Sequence, residues 1–153
     1  VLTVERTLVL LKPDAIQRHL VGPIITRLEG KGLKIVAMKL MNVTKELASK
    51  HYSEHIDKPF YEGLVQFITS GPVVALVLEG TEAVRIVRTL MGLTNPADAA
   101  PGTIRGDLAM TIGSNLIHGS DSVNSSTKEI GLFFTIEDIL EYEKNVEEWI
   151  TGS

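Results

Sequence analysis

The chain has no cysteine, so it holds neither disulfides nor a zinc centre built on thiolates. No apolar run approaches the roughly 18 residues of a membrane-spanning helix, and no membrane partner is expected. The opening Val1-Leu2-Thr3-Val4-Glu5-Arg6 lacks the basic head and cleavage pattern of a secretory signal, so the expected location is cytoplasmic. Three phosphate and nucleophile signatures are also missing: G-x-x-x-x-G-K-[ST], G-x-G-x-x-G and G-x-S-x-G. Basic excess is absent too. The net charge is -4, which gives no electrostatic footprint for nucleic acid as a primary partner. No repeat, low-complexity tract or linker divides the chain. Its 153 residues, 44% of them hydrophobic, suit one domain over 1–153 with a proper core.

What is present reads as alternating strands and helices. Thr7 to Leu11 is a short apolar run that predicts a strand covered on both faces. Ile16, Leu20, Ile24 and Leu28 mark a helical face, interrupted near Gly22-Pro23 and ended by Gly30 and Gly32. Residues 33–41 predict a second strand, and Thr44 caps a helix running to about His55. A further helix is expected from Phe60 to Ile68. Pro72 to Leu78 gives the strongest buried-strand signal, and Ala83, Ile86, Val87 and Leu90 form a helical stripe. The stretch 92–114 is too long for a passive connector. A last strand is expected near Asn115 to His118, then helices at about 122–129 and 137–144, with Trp149 closing the tail. The fold class is therefore α+β: a ferredoxin-like βαββαβ antiparallel sheet with an inserted helical pair, a long loop at 92–114 and a C-terminal helical extension.

Asn115-Leu116-Ile117-His118-Gly119-Ser120-Asp121 is the segment most loaded with chemistry. A histidine after two apolar residues sits at the end of a buried strand. Gly119 would let the backbone turn sharply, and Ser120 or Asp121 would cap the next helix. That presents an imidazole on a rigid element, as a nucleophile requires. Lys12 closes the first strand, Arg88 lies on the helical stripe, and Arg105 stands among glycines in the long loop. Guanidinium groups suit phosphate through paired, charge-assisted hydrogen bonds. Three cations around a histidine nucleophile point to phosphoryl transfer. His51-Tyr52-Ser53-Glu54-His55 also matches H-x-x-E-H, a zinc-protease pattern, but no third ligand presents itself. The competing reading is two solvated or hydrogen-bonded histidines.

The segments Glu5-Arg6-Thr7 through Lys12-Pro13-Asp14, His51-Tyr52, Lys58-Pro59-Phe60, Ser70-Gly71-Pro72-Val73-Val74, Thr94-Asn95-Pro96-Ala97-Asp98, Pro101 to Asp107 and Asn115 to Ser122 together resemble the nucleoside diphosphate kinase family. The resemblance covers essentially the whole chain. It implies a ping-pong reaction in which a nucleoside triphosphate phosphorylates His118 and a nucleoside diphosphate then takes the phosphoryl group, with broad base specificity. It implies that Glu129 orients the imidazole, with either ring nitrogen left open as the one held. It carries phosphate contacts to Lys12, Tyr52, His55, Arg88, Thr94 and Arg105, sugar contacts to Lys12 and Asn115, and base stacking to Phe60. Mg2+ is the implied cofactor, held mainly by the phosphates and by Asp121 through water. Nucleoside tri- and diphosphates are the implied partners, together with further copies of the chain. A homohexamer is favoured over a tetramer, with the 92–114 loop at its interface. Pro23 is a small departure at a helix start, where an acidic residue is common in the family. Two other classes compete: a binding protein that keeps the fold without activity, which the intact set of His118, Lys12, Arg88, Arg105 and Asn115 disfavours, and a zinc hydrolase on His51 and His55.

Overall fold

In the computed structural model, residues 3–152 are described. Val1 and Leu2 of the segment read for a targeting signal, and the final Ser153, lie outside it. The elements follow as β1 (Val4–Leu11), α1 (Pro13–Gln17), α2 (Val21–Gly30), β2 (Lys34–Met41), α3 (Lys45–His51), α4 (Tyr61–Ile68), β3 (Val73–Thr81), α5 (Ala83–Met91), α6 (Ile104–Leu108), β4 (Ile117–Gly119), α7 (Val123–Phe133) and α8 (Glu147–Thr151). The four strands form one antiparallel sheet in the order β2-β3-β1-β4, the ferredoxin-like arrangement.

The sheet is buried on both faces where its central strands are apolar at successive positions, Leu8–Leu11 in β1 and Val73–Leu78 in β3. In β1, Val9 and Leu11 face α1, α2, α5 and α6 with Ala15, Ile24, Leu28, Val87 and Met91. Leu8 and Leu10 face α3, α4 and α7, with Ala48, Ile68 and Phe133. β3 splits in the same way. The two-sided covering expected for the first strand is therefore present, and the strand begins earlier, at Val4. No helix among the described residues is long and apolar enough to cross a membrane.

Several boundaries differ from the sequence expectation. The break in the first helical region lies at 18–20, where His19 takes a φ of 59°, and Gly22-Pro23 falls inside the first turn of α2. Pro is tolerated there because first-turn N–H groups have no intrahelical partner. The helix capped by Thr44 ends at His51, and Ser53–His55 is a separate 3-10 turn. Residues 92–114 are not one loop: they hold a 3-10 turn at Pro96–Asp98 and then α6, so Arg105 is helical. No helix forms at 137–144. Ile136–Asp138 is a 3-10 turn, and the chain then runs extended to α8. There Leu140 N–H donates to the Val36 carbonyl at 2.9 Å, the Tyr142 hydroxyl donates to Ile35, and Lys144 donates to Gly32. Backbone and side chains committed to the start of β2 are withdrawn from an i to i+4 ladder.

Two glycines separate steric need from mere tolerance. A Cβ on Gly106 would be driven into the Ala100 carbonyl, a backbone group with nowhere to go. Gly63, inside α4, has open space around it. Gly106→Ala is expected to destabilise by about 1–3 kcal/mol or more through overpacking. Gly63→Ala should stabilise by roughly 0.5–1 kcal/mol by removing backbone entropy from the unfolded chain. Urea unfolding of both variants checks the pair; equal midpoints would refute the collision.

Candidate active site

The site forms where the short edge strand β4 meets the end of β1. Leu10 pairs with His118, so the imidazole projects onto the α3–α7 face of the sheet. His118 Nε2 lies 2.8 Å from Glu129 Oε1 on α7, and the same carboxylate oxygen accepts from the Ser120 hydroxyl at 2.8 Å. Ser120 in turn accepts from Leu8 N–H at 3.3 Å, which ties the cluster to β1. The nitrogen that the sequence left open is thus Nε2, and Nδ1 makes no hydrogen bond. Burial raises the Glu129 pKa, but its bond to His118, the His118 charge, the Ser120 bond and the His51 charge together outweigh this and hold it below the ordinary value.

The turn that presents His118 works differently from the expectation. Gly119 is within β4 and has no positive φ; its need is for space. A Cβ there would meet Met91 Sδ at 2.5 Å and Val87 Cγ1 at 3.0 Å. The strained residue is Leu116, at a φ of 72°. Its N–H donates to Asp14 Oδ2 at 3.0 Å, its carbonyl accepts from Lys12 N–H at 2.9 Å, and Ile117 N–H turns back to the Asn115 carbonyl at 2.8 Å. Such a conformation costs about 1–3 kcal/mol and persists only where its surroundings impose it. The cap of α7 is Ser122, which accepts from Ser125 N–H. Ser120 and Asp121 do not cap it.

The cations gather around this strand. Lys12 Nζ donates to Asn115 Oδ1 at 2.8 Å, and Asn115 Nδ2 donates to the Thr94 carbonyl at 2.9 Å. Arg105 is only 4% exposed. Its guanidinium donates to the carbonyls of Asn115, Gly92 and Ile117 at 3.2, 3.2 and 2.6 Å. Arg88 donates to the Gly119 carbonyl at 3.3 Å. Burial, and then the charge of Arg105, pulls the Lys12 pKa down to about 8; Asp14 partly opposes this. Burial, then Arg88, brings Arg105 to about 10. Among the described residues none of these three cations has a carboxylate within ion-pair distance, whereas Arg6, Arg27, Lys34 and Arg85 all do. Asp121 is exposed and unpaired, and it lines an open cleft of about 450 Å³ with Arg88, Glu5 and Glu82.

The remaining expected residues fall nearby. Tyr52 ends α3; burial, then the Glu129 charge, raises its pKa to about 12. Phe60 is 52% exposed, so it is no core residue, and its ring lies 5.4 Å from that of His55. Thr94 is exposed, with its hydroxyl unbonded. The H-x-x-E-H reading does not hold. The helix ends between its histidines, and His51 packs edge-on against His118 with ring centroids 4.7 Å apart. Neither ring nitrogen of His51 has a hydrogen-bond partner, contrary to the hydrogen-bonded alternative. Sequence reasoning also missed Ser120 as a partner of Glu129, Asp14 as the brace of Leu116, and His51 as a neighbour of His118. Only the adjacency of His51 to Tyr52 and of Ser120 to His118 could have signalled them.

Comparison with known proteins agrees with this geometry. A sequence profile described as "Nucleoside diphosphate kinase" matches residues 5–139. The nucleoside diphosphate kinase of Archaeoglobus fulgidus is 58% identical over 146 residues, 95% of this chain and 97% of that protein. That of Staphylococcus carnosus is 60% identical over the same coverage. Among solved structures, a halophilic nucleoside diphosphate kinase from Halobacterium salinarum in complex with CDP superposes with a TM-score of 0.95 at 53% identity, covering 97% of this chain and 99% of that one.

The lowered Lys12 pKa has a kinetic consequence. The ammonium is charged below its pKa, so its attraction for phosphate fades as pH rises through about 8. A plot of kcat/KM, which reports the free enzyme, should fall across that range. A profile flat through it would mean the Lys12 charge is not needed.

Proposed function

The chain belongs to the nucleoside diphosphate kinase family, a family of phosphotransferases acting on nucleotides, and from that premise we propose that it transfers the γ-phosphoryl group through His118. The observation that carries this reading is the 2.8 Å bond from His118 Nε2 to Glu129 beside three unpaired cations. A neutral imidazole has one N–H and one lone pair. With Nε2–H donated to Glu129, the lone pair lies on Nδ1, the free nitrogen.

In the proposed first half-reaction, the Nδ1 lone pair attacks the γ-phosphorus in line. The bond to the β–γ bridging oxygen breaks, and its electron pair leaves with the nucleoside diphosphate. Positive charge that builds on the ring is met by the Glu129 carboxylate. A second nucleoside diphosphate reverses the step with its terminal oxygen. Lys12, Arg88 and Arg105 neutralise phosphate charge from preset positions, so no counter-charge has to be reorganised as the reaction proceeds. Arg105 has spent three of its N–H groups on carbonyls, and a guanidinium has about five, so donors remain for a phosphate. Tyr52, His55 and Thr94 complete the phosphate contacts, and Asn115 with Lys12 meets the sugar hydroxyls. Phe60 stacks on the base, which suits broad specificity because every base offers a π-face.

Mg2+ fits the oxygen donors available. Asp121 is a single free carboxylate beside Arg88, which suits a water-mediated contact to an ion held mostly by phosphates. When bound, the ion would neutralise phosphate charge. The chain works as one domain over 1–153, in the cytoplasm, with nucleic acid no primary partner. Its assembly is a homo-oligomer, a hexamer rather than a tetramer. Exposed Leu93, Met110 and Ile112 on the 92–114 segment support an interface there, and sedimentation tests it.

Incubation with γ-labelled ATP and Mg2+, without acceptor, should yield an acid-labile, base-stable label on His118. Label that survives in His118→Ala, or maps to Ser120, would overturn the assignment. Glu129→Gln should raise the barrier by about 1.5–3 kcal/mol, the worth of a hydrogen bond to a charged group. Phe60→Ala should weaken all nucleotides by about 1–3 kcal/mol; a loss confined to purines would mean the base is read by its edge.

A further inference from the structure

We propose that His51, His118 and Glu129 form a binding site for Zn2+, occupied in nucleotide-free enzyme, that takes His118 out of phosphoryl transfer. The blocking effect rests on His118 being the nucleophile; the binding does not.

The three residues each offer one donor atom, and these atoms lie within 4.8 Å of one another. Two imidazoles and a carboxylate are a donor set that zinc favours and magnesium does not. Tetrahedral zinc holds its ligand atoms about 3.4 Å apart, given metal–ligand bonds near 2.1 Å. His118 Nε2 and Glu129 Oε1, at 2.8 Å, need only part slightly, and no pair of donor atoms starts more than 4.8 Å apart. The donors stand on the end of α3, on β4 and on α7, so the site is held by three different elements.

His51 is what marks this cluster as more than a nucleophile with its orienter. Both its ring nitrogens are buried and neither has a partner. Buried polar atoms are ordinarily bonded, and a metal ion would use the idle lone pair. Lys12 and Lys128 oppose a cation here, and Glu129 favours one. A nucleotide adds phosphate oxygens that draw the ion away, which makes zinc and nucleotide mutually exclusive.

Coordination forms metal–nitrogen and metal–oxygen bonds and oxidises nothing. If zinc takes Nε2 of His118, the ring's one proton moves from Nε2 to Nδ1, so the imidazole stays neutral and no proton is lost. If zinc takes Nδ1, the attacking atom is covered. Either way the single lone pair of the ring is occupied.

Co2+ reports the site directly. Nucleotide-free protein in phosphate-free buffer should take up one Co2+ per chain with the visible d–d absorption of a nitrogen-ligated, low-coordinate ion. Zn2+ should bleach it. His51→Gln should weaken Co2+ binding by at least about tenfold, the lower end of what losing even an outer-shell partner costs. His19→Gln, remote from the cluster, should bind as the parent does. If His51→Gln does not fold, His118→Gln carries the same test. Saturating Zn2+ should also prevent labelling of His118 by ATP, reversibly with a chelator. No visible band in the parent protein, or a band undiminished in His51→Gln or His118→Gln, would overturn the site. Labelling measured with Mg2+ alone separates the two readings: an unlabelled His118 refutes the nucleophile and leaves the cobalt result standing.

Discussion

Arg105 is a buried cation with no carboxylate within ion-pair distance among the described residues, and the strand that carries His118 hangs on it. β4 is three residues long and pairs only with β1, too little to hold itself in register. The Arg105 guanidinium reaches the carbonyls on either side of Leu116 and the carbonyl of Gly92, closing the 92–117 excursion onto its own exit. The Asn115 carbonyl also accepts from Ile117 N–H, so Arg105 adds to a turn already bonded there. One side chain thus braces the backbone and sets a positive charge beneath the strand that carries His118. Gly106 follows for a geometric reason: α6 can bring Arg105 under β4 only by passing the Ala100 carbonyl at a distance no Cβ permits.

The same arrangement leaves charge uncompensated. Surface cations such as Arg27 and Arg85 hold carboxylates, at 2.8 and 3.0 Å. Lys12, Arg88 and Arg105 do not, and the lowered pKa values of Lys12 and Arg105 express both their burial and the repulsion among them. Such a cluster opposes folding. On the proposed function, a triphosphate would supply the missing negative charge, so part of what the fold gives up locally would return as binding. That is the signature of electrostatic preorganisation.

Strand order and the main residues of the site were legible in the sequence because each rests on a local pattern. Val73 to Leu78 is apolar at every position, and only a strand covered on both faces uses such a run. The misread elements depend on contacts distant in sequence. The 137–144 segment has residues a helix would accept, yet its polar groups bond to β2 more than a hundred positions earlier. Gly119 looks like a turn glycine until Met91 and Val87 are placed against it. Leu116 takes its strained φ because Asp14 and Lys12 grip its peptide groups from the far end of the chain, and no propensity scale encodes that. His51 and Ser120 went unread for the same reason: their partners lie on other elements.

Among the described residues, most of the buried side-chain atoms without a hydrogen-bond partner lie within or beside the site: His51 Nδ1 and Nε2, His55 Nδ1 and Asp14 Oδ1, with Thr7 Oγ1 and Glu147 Oε2 the exceptions elsewhere. The positive φ of Leu116 and the unpaired cations are there too. Away from the site, the sheet is packed on both faces by fully buried aliphatic side chains. The apolar layers hold the backbone rigid enough that strain and idle donors at one edge of the sheet do not relax by collapse. An imidazole whose nitrogens are idle has no bond to hold it, so packing against His118, Tyr52 and Phe133 must fix its position. Edge-on contact packs the ring of His51 against His118 without a hydrogen bond between them. Among the described residues, the polar constraint on the His118 ring is then Glu129, at Nε2, which leaves Nδ1 as the nitrogen without a hydrogen bond.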